Sequence, residues 1–520
     1  MLTKGDMRFQ NNRLRSAIVA LTWLVCCAAL QPAAAATPWP TAEWLTSTPE
    51  EQGVSSNALA DLVDFGALNA MDSLLVVRHG RIVVEAHYAP FRPGLRHVVN
   101  SVTKVVVGTL AGIAFNEGAL GPLDQSVVDL FPERKIDNLN ANKKAMTLDS
   151  LLDSTSGLDW REPLSNAPPE SMLQMARSRD WIGFVLDRPM AQAPGLAFDY
   201  DSGTWHLLSA ILAKKTGASA LDYAQRKLFT PLGITDVAWR HDPQGITIGG
   251  YGLFMHPRDM AKIGYLHLHA GEWAGQQLLP ASWVDRMYHA TVDMRLGTTP
   301  SFRYANGWWT IPDKHAYMAV GFLRQLIIVL PDVDMVAVVT GRKHYPFVAL
   351  IDRLTGAAKS ESALPADADA SARLAARIRG AATERPSEVS PASPLANTIS
   401  GRSYRFGPNV IGLKSLRLDL VSPVATYEAF FDRSRAGLPN FRIGGPLGLD
   451  GYFRVDENAT EQPRAAKGRW LTDTRFQIVS QSLLEGIVTN TTLTFRGDEV
   501  DVEVEDNHGV RGRFQGDSKE

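Results

Sequence analysis

An α+β domain followed by a smaller all-β domain is the architecture this 520-residue sequence predicts, on three observations. Strand hairpins stand at both ends of residues 37–357, with helical patterns between them. Over 358–396 the composition turns to Ala, Ser, Pro and charge, which reads as a linker. From 397 to 520 apolar and polar residues alternate, the period of strands, as in a small barrel or sandwich. The length also exceeds what one hydrophobic core supports. With 45% hydrophobic and 21% charged residues the chain is globular, neither disordered nor a multi-span membrane protein. Its 53 Lys+Arg nearly balance 55 Asp+Glu, so no electrostatic pull toward nucleic acid or an anionic membrane surface is expected.

Residues 1–36 read as a signal peptide. Arg13 and Arg15 precede an apolar stretch, Ala17 to Leu30, and Ala33 to Ala36 supply a small-residue cleavage site before Thr37. That stretch is too short to span a bilayer. Export to the periplasm or the medium is therefore expected, with no membrane span in the mature chain. Cys26 and Cys27, the only cysteines, both leave with the leader. The mature chain then has no disulfide, no thiolate nucleophile and no Cys-ligated metal, and any nucleophile must be oxygen or nitrogen.

The elements follow in order. Residues 73–86 give two short strands about a His79-Gly80 turn. Helical patterns run over 101–117, 147–154, 203–216, 219–228 and 257–270, each ending near Gly or Pro. Strand-like runs at 326–330 and 334–340 flank Pro331-Asp332, a turn dipeptide. One helix is expected in the linker, at 370–378. Beyond it come alternating runs at 416–420 and 475–479, then a hairpin over 493–504 turning at Gly497-Asp498, with Val500, Val502 and Val504 on one face.

The chemistry concentrates at the start of the second of these blocks. Val98 and Val99 lead into Asn100, a favourable N-cap, and then into an apolar helix. Val105 to Val107 are poor helix formers, so that helix must be buried on nearly all sides. Ser101 and Lys104 lie three apart on its first turn, where unpaired N–H groups concentrate. A buried amine of lowered pKa can take a serine proton, and the N–H groups can hold an oxyanion. A capped helix with a surface lysine would share this spacing, but a lysine opening an apolar helix is an unexpected surface residue. No other lysine in the chain follows a serine by three positions.

Two further stretches qualify. Tyr200-Asp-Ser202 ends a loop before a helix, and a tyrosine beside the lysine can relay a proton as phenolate or hydroxyl. Ala319-Val320-Gly321-Phe322-Leu-Arg324 precedes an apolar strand, which can offer a backbone N–H and an edge to substrate. A packed loop aromatic and a simple turn are the plainer readings of these two.

Together, Ser101-x-x-Lys104, Tyr200-x-Ser202 and the Gly321 motif resemble the class C β-lactamase-like serine hydrolases. That group includes penicillin-binding carboxypeptidases, family VIII esterases and 6-aminohexanoate-dimer hydrolases. Leu151 to Leu158 and Gly250 to Gly264 are similar to it too, and the likeness covers about 50–357. The resemblance implies a β-lactamase/transpeptidase-like fold with an antiparallel sheet. It makes Ser101 the nucleophile, Lys104 the base and Tyr200 the relay, with the N–H groups of Ser101 and Phe322 as oxyanion hole.

The departures bear on substrate. The lactamase relatives carry Tyr-x-Asn, and this chain has Ser202 in the third place. They carry Lys-Thr-Gly or His-Thr-Gly, whose first two residues bind a carboxylate, and this chain has Ala319 and Val320. Without those donors a β-lactam or D-Ala-D-Ala terminus should bind poorly, and whether Arg324 restores a charge depends on its direction.

Other chemistries lack support. There is no Gly-x-Ser-x-Gly elbow and no dinucleotide-binding glycine motif. His267 and His269 diverge on a helix without acidic partners, and Trp205, Trp308 and Trp309 read as core. The expectation is an exported, cofactor-free serine hydrolase of a small-molecule ester or linear amide. A peptidoglycan carboxypeptidase, D-aminopeptidase or β-lactamase, or a non-catalytic envelope binding protein, are the alternatives.

Overall fold

Strands from the two ends of the first segment meet in a single sheet. The computed structural model describes residues 39–164, 169–432, 440–456 and 462–518, so the leader expected over 1–36 lies outside the described residues. From the early part come β1 (Leu45–Thr46), β2 (Met71–Arg78) and β3 (Arg81–His87). The later part gives β4 (Val292–Asp293), β5 (Arg303–Ala305), β6 (Trp308–Ile311), β7 (Ala316–Gly321), β8 (Gln325–Leu330) and β9 (Met335–Gly341). Their order is β1-β3-β2-β9-β8-β7-β6-β5-β4, antiparallel except for β1 on β3. The expected hairpin turns where it should: Arg78 pairs with Arg81 across His79 and Gly80, both at positive φ, as a two-residue turn matched to strand twist requires. Every residue of β2, β8 and β9 is buried, which is why these strands read as apolar runs instead of alternating.

Helices cover the sheet: α1 (Ser56–Leu68), α2 (Val102–Asn116), α3 (Leu148–Leu152), α4 (Ser202–Thr216) and α5 (Pro257–Leu268). In α2 every side chain from Val102 to Ala114 is buried, so packing offsets the weak propensity of its four valines. The pattern at 219–228 forms a short helix, Ala220–Ala224, that widens into a π-turn over Gln225–Phe229.

The Ala-rich stretch after the sheet is more ordered than its composition suggests. It forms α6 (Ala368–Ala382), longer than the expected 370–378, because Ala370, Leu374, Ile378 and Ala381 make one apolar face between the arginines. That face lies on α1, where Arg373 and Arg377 pair with Asp61 and Asp64.

Among the described residues ten more strands follow: β10 (Ser403–Phe406), β11 (Leu413–Asp419), β12 (Thr426–Phe431), β13 (Phe441–Pro446), β14 (Arg454–Val455), β15 (Arg464–Thr472), β16 (Arg475–Ser482), β17 (Val488–Arg496), β18 (Glu499–Asp506) and β19 (Arg511–Asp517). Their order, β13-β12-β11-β10-β19-β18-β17-β16-β15-β14, is antiparallel throughout, and a Gly448–Lys467 bridge brings the two edges together into a nearly closed barrel. The turn at Gly497-Asp498 joins β17 to β18, and Val500, Val502 and Val504 face inward. This barrel has its own core and touches the first sheet's surroundings through Phe91 and Leu95 against Ala465 and Leu483. A backbone bond from Val98 N–H to the Leu484 carbonyl, 2.7 Å, joins the two at the entry to α2. Among the described residues no helix is long and apolar enough to cross a membrane.

Candidate active site

The chain reaches α2 through a short strand, His97–Val98, pairs it with Leu253–Met255, and then turns sharply. Asn100 is not the N-cap expected from its residue type. It sits at φ 48, the left-handed region that asparagine tolerates, and its side-chain amide donates to the Phe322 carbonyl at 3.1 Å. Ser101 takes the cap position, and its hydroxyl makes no capping bond. That leaves the Ser101 Oγ to the lysine one turn on.

Lys104 is 1% exposed, and its ammonium donates to Ser101 Oγ at 3.1 Å, Ser202 Oγ at 2.9 Å and the Gly250 carbonyl at 2.9 Å. Three acceptors match its three donors. Burial pulls the amine down to about 8, with Glu162 and Asp201 pulling the other way. Gly250 is needed for that carbonyl to approach, since a Cβ there would lie 2.8 Å from the Ser202 carbonyl oxygen.

Tyr200 is also buried, its ring 4.6 Å from the Lys104 Nζ. Burial, then the charge of Glu162, push its phenol well above the usual range, while a hydrogen bond with Ser101 acts the other way. Of the two forms open from sequence, this surrounding favours the neutral hydroxyl.

Ser202 caps nothing either. Its Oγ accepts from Lys104 and donates to Glu162 Oε1 at 2.6 Å, and its N–H donates to Glu162 Oε2 at 2.8 Å. Trp160 Nε1 donates to the same Oε2 at 2.8 Å. Glu162 escaped the sequence reading because it lies in a loop with no periodicity. One signal existed: a buried hydroxyl that accepts from an ammonium still has a proton to place, and so implies an acceptor.

The Gly321 motif ends β7, in register with Gln325 on β8. Here too glycine allows a close approach, because a Cβ would lie 2.5 Å from the Val99 carbonyl oxygen. This brings the strand end against the start of α2. Ala319 is buried and Val320 half-buried, and neither has a donor to offer. Arg324 turns away from the strand edge: its Nε donates to the Tyr345 carbonyl at 2.7 Å and its guanidinium lies over the Phe347 ring at 4.6 Å. Phe322 is 39% exposed and packs edge-to-face on His344 and on His508, each 5.2 Å between centroids. His508 belongs to the turn between β18 and β19, so the barrel reaches the rim of this site. Sequence spacing had no means of showing that.

The remaining candidates pack elsewhere. His267 bonds to the Ile263 carbonyl and Thr109 within the core, and His269 lies edge-on to Tyr265. Among the described residues no group of three or more metal-ligating side chains is assembled.

With this geometry in hand, the likenesses are specific. The model of the family described as Beta-lactamase matches residues 67–359. The chain is 24% identical over 310 residues to the 6-aminohexanoate-dimer hydrolase of Paenarthrobacter ureafaciens, covering 56% of this chain and 79% of that protein. A solved Bacillus anthracis chain described as a 6-aminohexanoate-dimer hydrolase superposes with a TM-score of 0.52 at 21% identity, over 63% of this chain and 90% of that one. EstCE1, a hydrolase with promiscuous acyltransferase activity, gives 0.48 at 17% identity, over 63% of this chain and 99% of its own. The likeness to the Bacillus anthracis chain is one of fold.

Proposed function

Because the chain belongs to the Beta-lactamase family and is a serine hydrolase, we propose that it cleaves an ester or a linear amide through an acyl-enzyme on Ser101. The observation that carries this reading is the buried Lys104 amine, lowered to about 8 and 3.1 Å from the Ser101 hydroxyl. In its neutral form Lys104 takes the Ser101 proton as Oγ bonds to the substrate carbonyl carbon. The N–H groups of Ser101 and Phe322 hold the oxyanion. As the intermediate collapses, the alcohol or amine leaves with a proton passed through the Tyr200 hydroxyl. Water then attacks the acyl-serine as Lys104 takes its proton, and the Oγ–carbonyl bond breaks as Lys104 returns that proton to Ser101, which releases the acid. Labelling by a fluorophosphonate probe, located on the Ser101 peptide by mass spectrometry, together with p-nitrophenyl butyrate turnover, tests this. No label on Ser101 in folded protein would overturn it.

Substrate class rests on what β7 lacks. With Ala319, Val320 and an averted Arg324 at the strand end, that edge offers no side-chain donor to a substrate carboxylate. We expect p-nitrophenyl butyrate to turn over at least about a hundredfold faster in kcat/KM than nitrocefin. Comparable rates would sink the preference, and D-Ala-D-Ala peptides should likewise be poor substrates.

Glu162 sets the working pH through Ser202. Its charge raises the Lys104 pKa, so Glu162→Gln, which removes the charge and keeps one acceptor oxygen for the Ser202 hydroxyl, should move the acid limb of kcat/KM to lower pH by about one unit. A limb that stays put or moves upward would show that Glu162 does not act on the amine.

Export forms part of the same proposal, from residues 1–36. Protein recovered outside the cytoplasm should begin at Thr37, and N-terminal sequencing that reads Met1 would refute this.

A further inference from the structure

One end of the C-terminal barrel is filled and the other is hollow. At the filled end Trp470, Phe476 and Phe495 pack together, with ring centroids 5.1 and 6.4 Å from Trp470. At the other end lies a cavity of about 330 Å³. Its wall is the inward-facing set of successive strands, among them Leu416, Ala429, Ile478, Thr491, Val502 and Val504. Such a volume, apolar with a few polar groups and set in the mouth of a barrel, has the dimensions of a small-ligand site.

Two polar groups in this wall lack partners. The Tyr427 hydroxyl has none among the described residues although the side chain is only 4% exposed, and the buried Arg464 Nε has none either. Both are donors, so what is missing is an acceptor. The Asp506 carboxylate at the rim does not supply it, since its Oδ1 accepts the N–H groups of His508 and Val510. Phe431 and Phe441, half-buried and stacked with centroids 4.7 Å apart, complete an apolar side to the opening.

We propose that this cavity binds a medium-chain aliphatic carboxylate, its chain among the apolar side chains and its head on Tyr427 and Arg464. Nothing in the site depends on Ser101. The opening adjoins the turn that carries His508 to Phe322, and that turn is tied down by Asn507 donating to the Gly486 and Arg342 carbonyls. An occupied barrel therefore lies next to the hydrolase site.

Decanoate titrated calorimetrically into the full chain tests this, with decyl alcohol as the uncharged control. Decanoate should saturate one site and bind at least about tenfold tighter than the alcohol, and Tyr427→Phe and Arg464→Met should each weaken it about tenfold. Ala429→Phe, which places a ring inside the cavity, should remove binding. Melting temperature and circular dichroism report whether each variant is folded, and if Ala429→Phe is not, Thr491→Trp fills the cavity from its rim. Decanoate binding that survives in a folded, filled variant places the ligand elsewhere and overturns the proposal. So does the absence of saturable binding, or an alcohol that binds as well as the acid.

Discussion

Ser101→Ala should lower p-nitrophenyl butyrate turnover by about 10⁴-fold or more and abolish fluorophosphonate labelling, with the fold intact. The expected size follows from the roles assigned around it. Lys104 has no proton to take without the hydroxyl, and the oxyanion site alone retains only residual catalysis. Stability should hardly change, within about 1 kcal/mol. Ser101 is half-buried, its Oγ caps nothing, Lys104 keeps Ser202 and Gly250 as acceptors when it is gone, and the Tyr200 hydroxyl loses one hydrogen bond. Ser202→Ala is the informative contrast. It leaves both Lys104 and Glu162 short of a partner in a buried place, so it should cost stability, about 1–3 kcal/mol, as well as rate. If Ser101→Ala kept a tenth of wild-type turnover, the nucleophile would have to be sought elsewhere.

What could be read from the sequence follows distance along the chain. Ser101 and Lys104 are one turn apart on a helix whose apolar run is unmistakable, so local spacing alone brought them together. Tyr200 and Ser202 came as a pair from the loop that opens α4. Glu162, the Gly250 carbonyl and His508 reach the same place from separate segments, and no local pattern constrains where such segments meet. Asn100 shows a different failure. The short polar side chain that suits an N-cap also tolerates the left-handed region, and the close approach of β7 to the start of α2 decided between them. Arg324 was undecidable from alternation because the strand ends first: Leu323 and Arg324 sit at φ 59 and φ 71, so strand directions no longer apply. The linker helix is longer than its pattern predicts because its arginines interrupt an apolar face that only the packing against α1 reveals.

Lys104→Arg should cost about 10³-fold or more in kcat/KM while keeping the positive charge. Arginine stays protonated throughout the accessible range, so it can hold Ser202 and Gly250 but cannot accept a proton from Ser101. Lys104→Met serves as the contrast, since it removes the charge as well. Similar losses in both would assign the effect to the missing base, whereas activity retained in the arginine variant would make the lysine's contribution electrostatic. The wild-type pH profile follows with a definite sign. The base works unprotonated, and burial has brought its pKa from 10.5 to about 8, so log kcat/KM should climb with unit slope and level off near pH 8. At pH 7 roughly a tenth of the enzyme would carry the competent amine. Stability moves in the same direction. Between about 8 and 10.5 the folded state binds fewer protons than the unfolded chain, so folding strengthens as pH rises through that window. Lys104→Met should erase that part of the slope. A single group would then account for both the rise in rate and the rise in stability, and denaturant melts at pH 7 and pH 10 on the two proteins would separate it from every other titration in the chain.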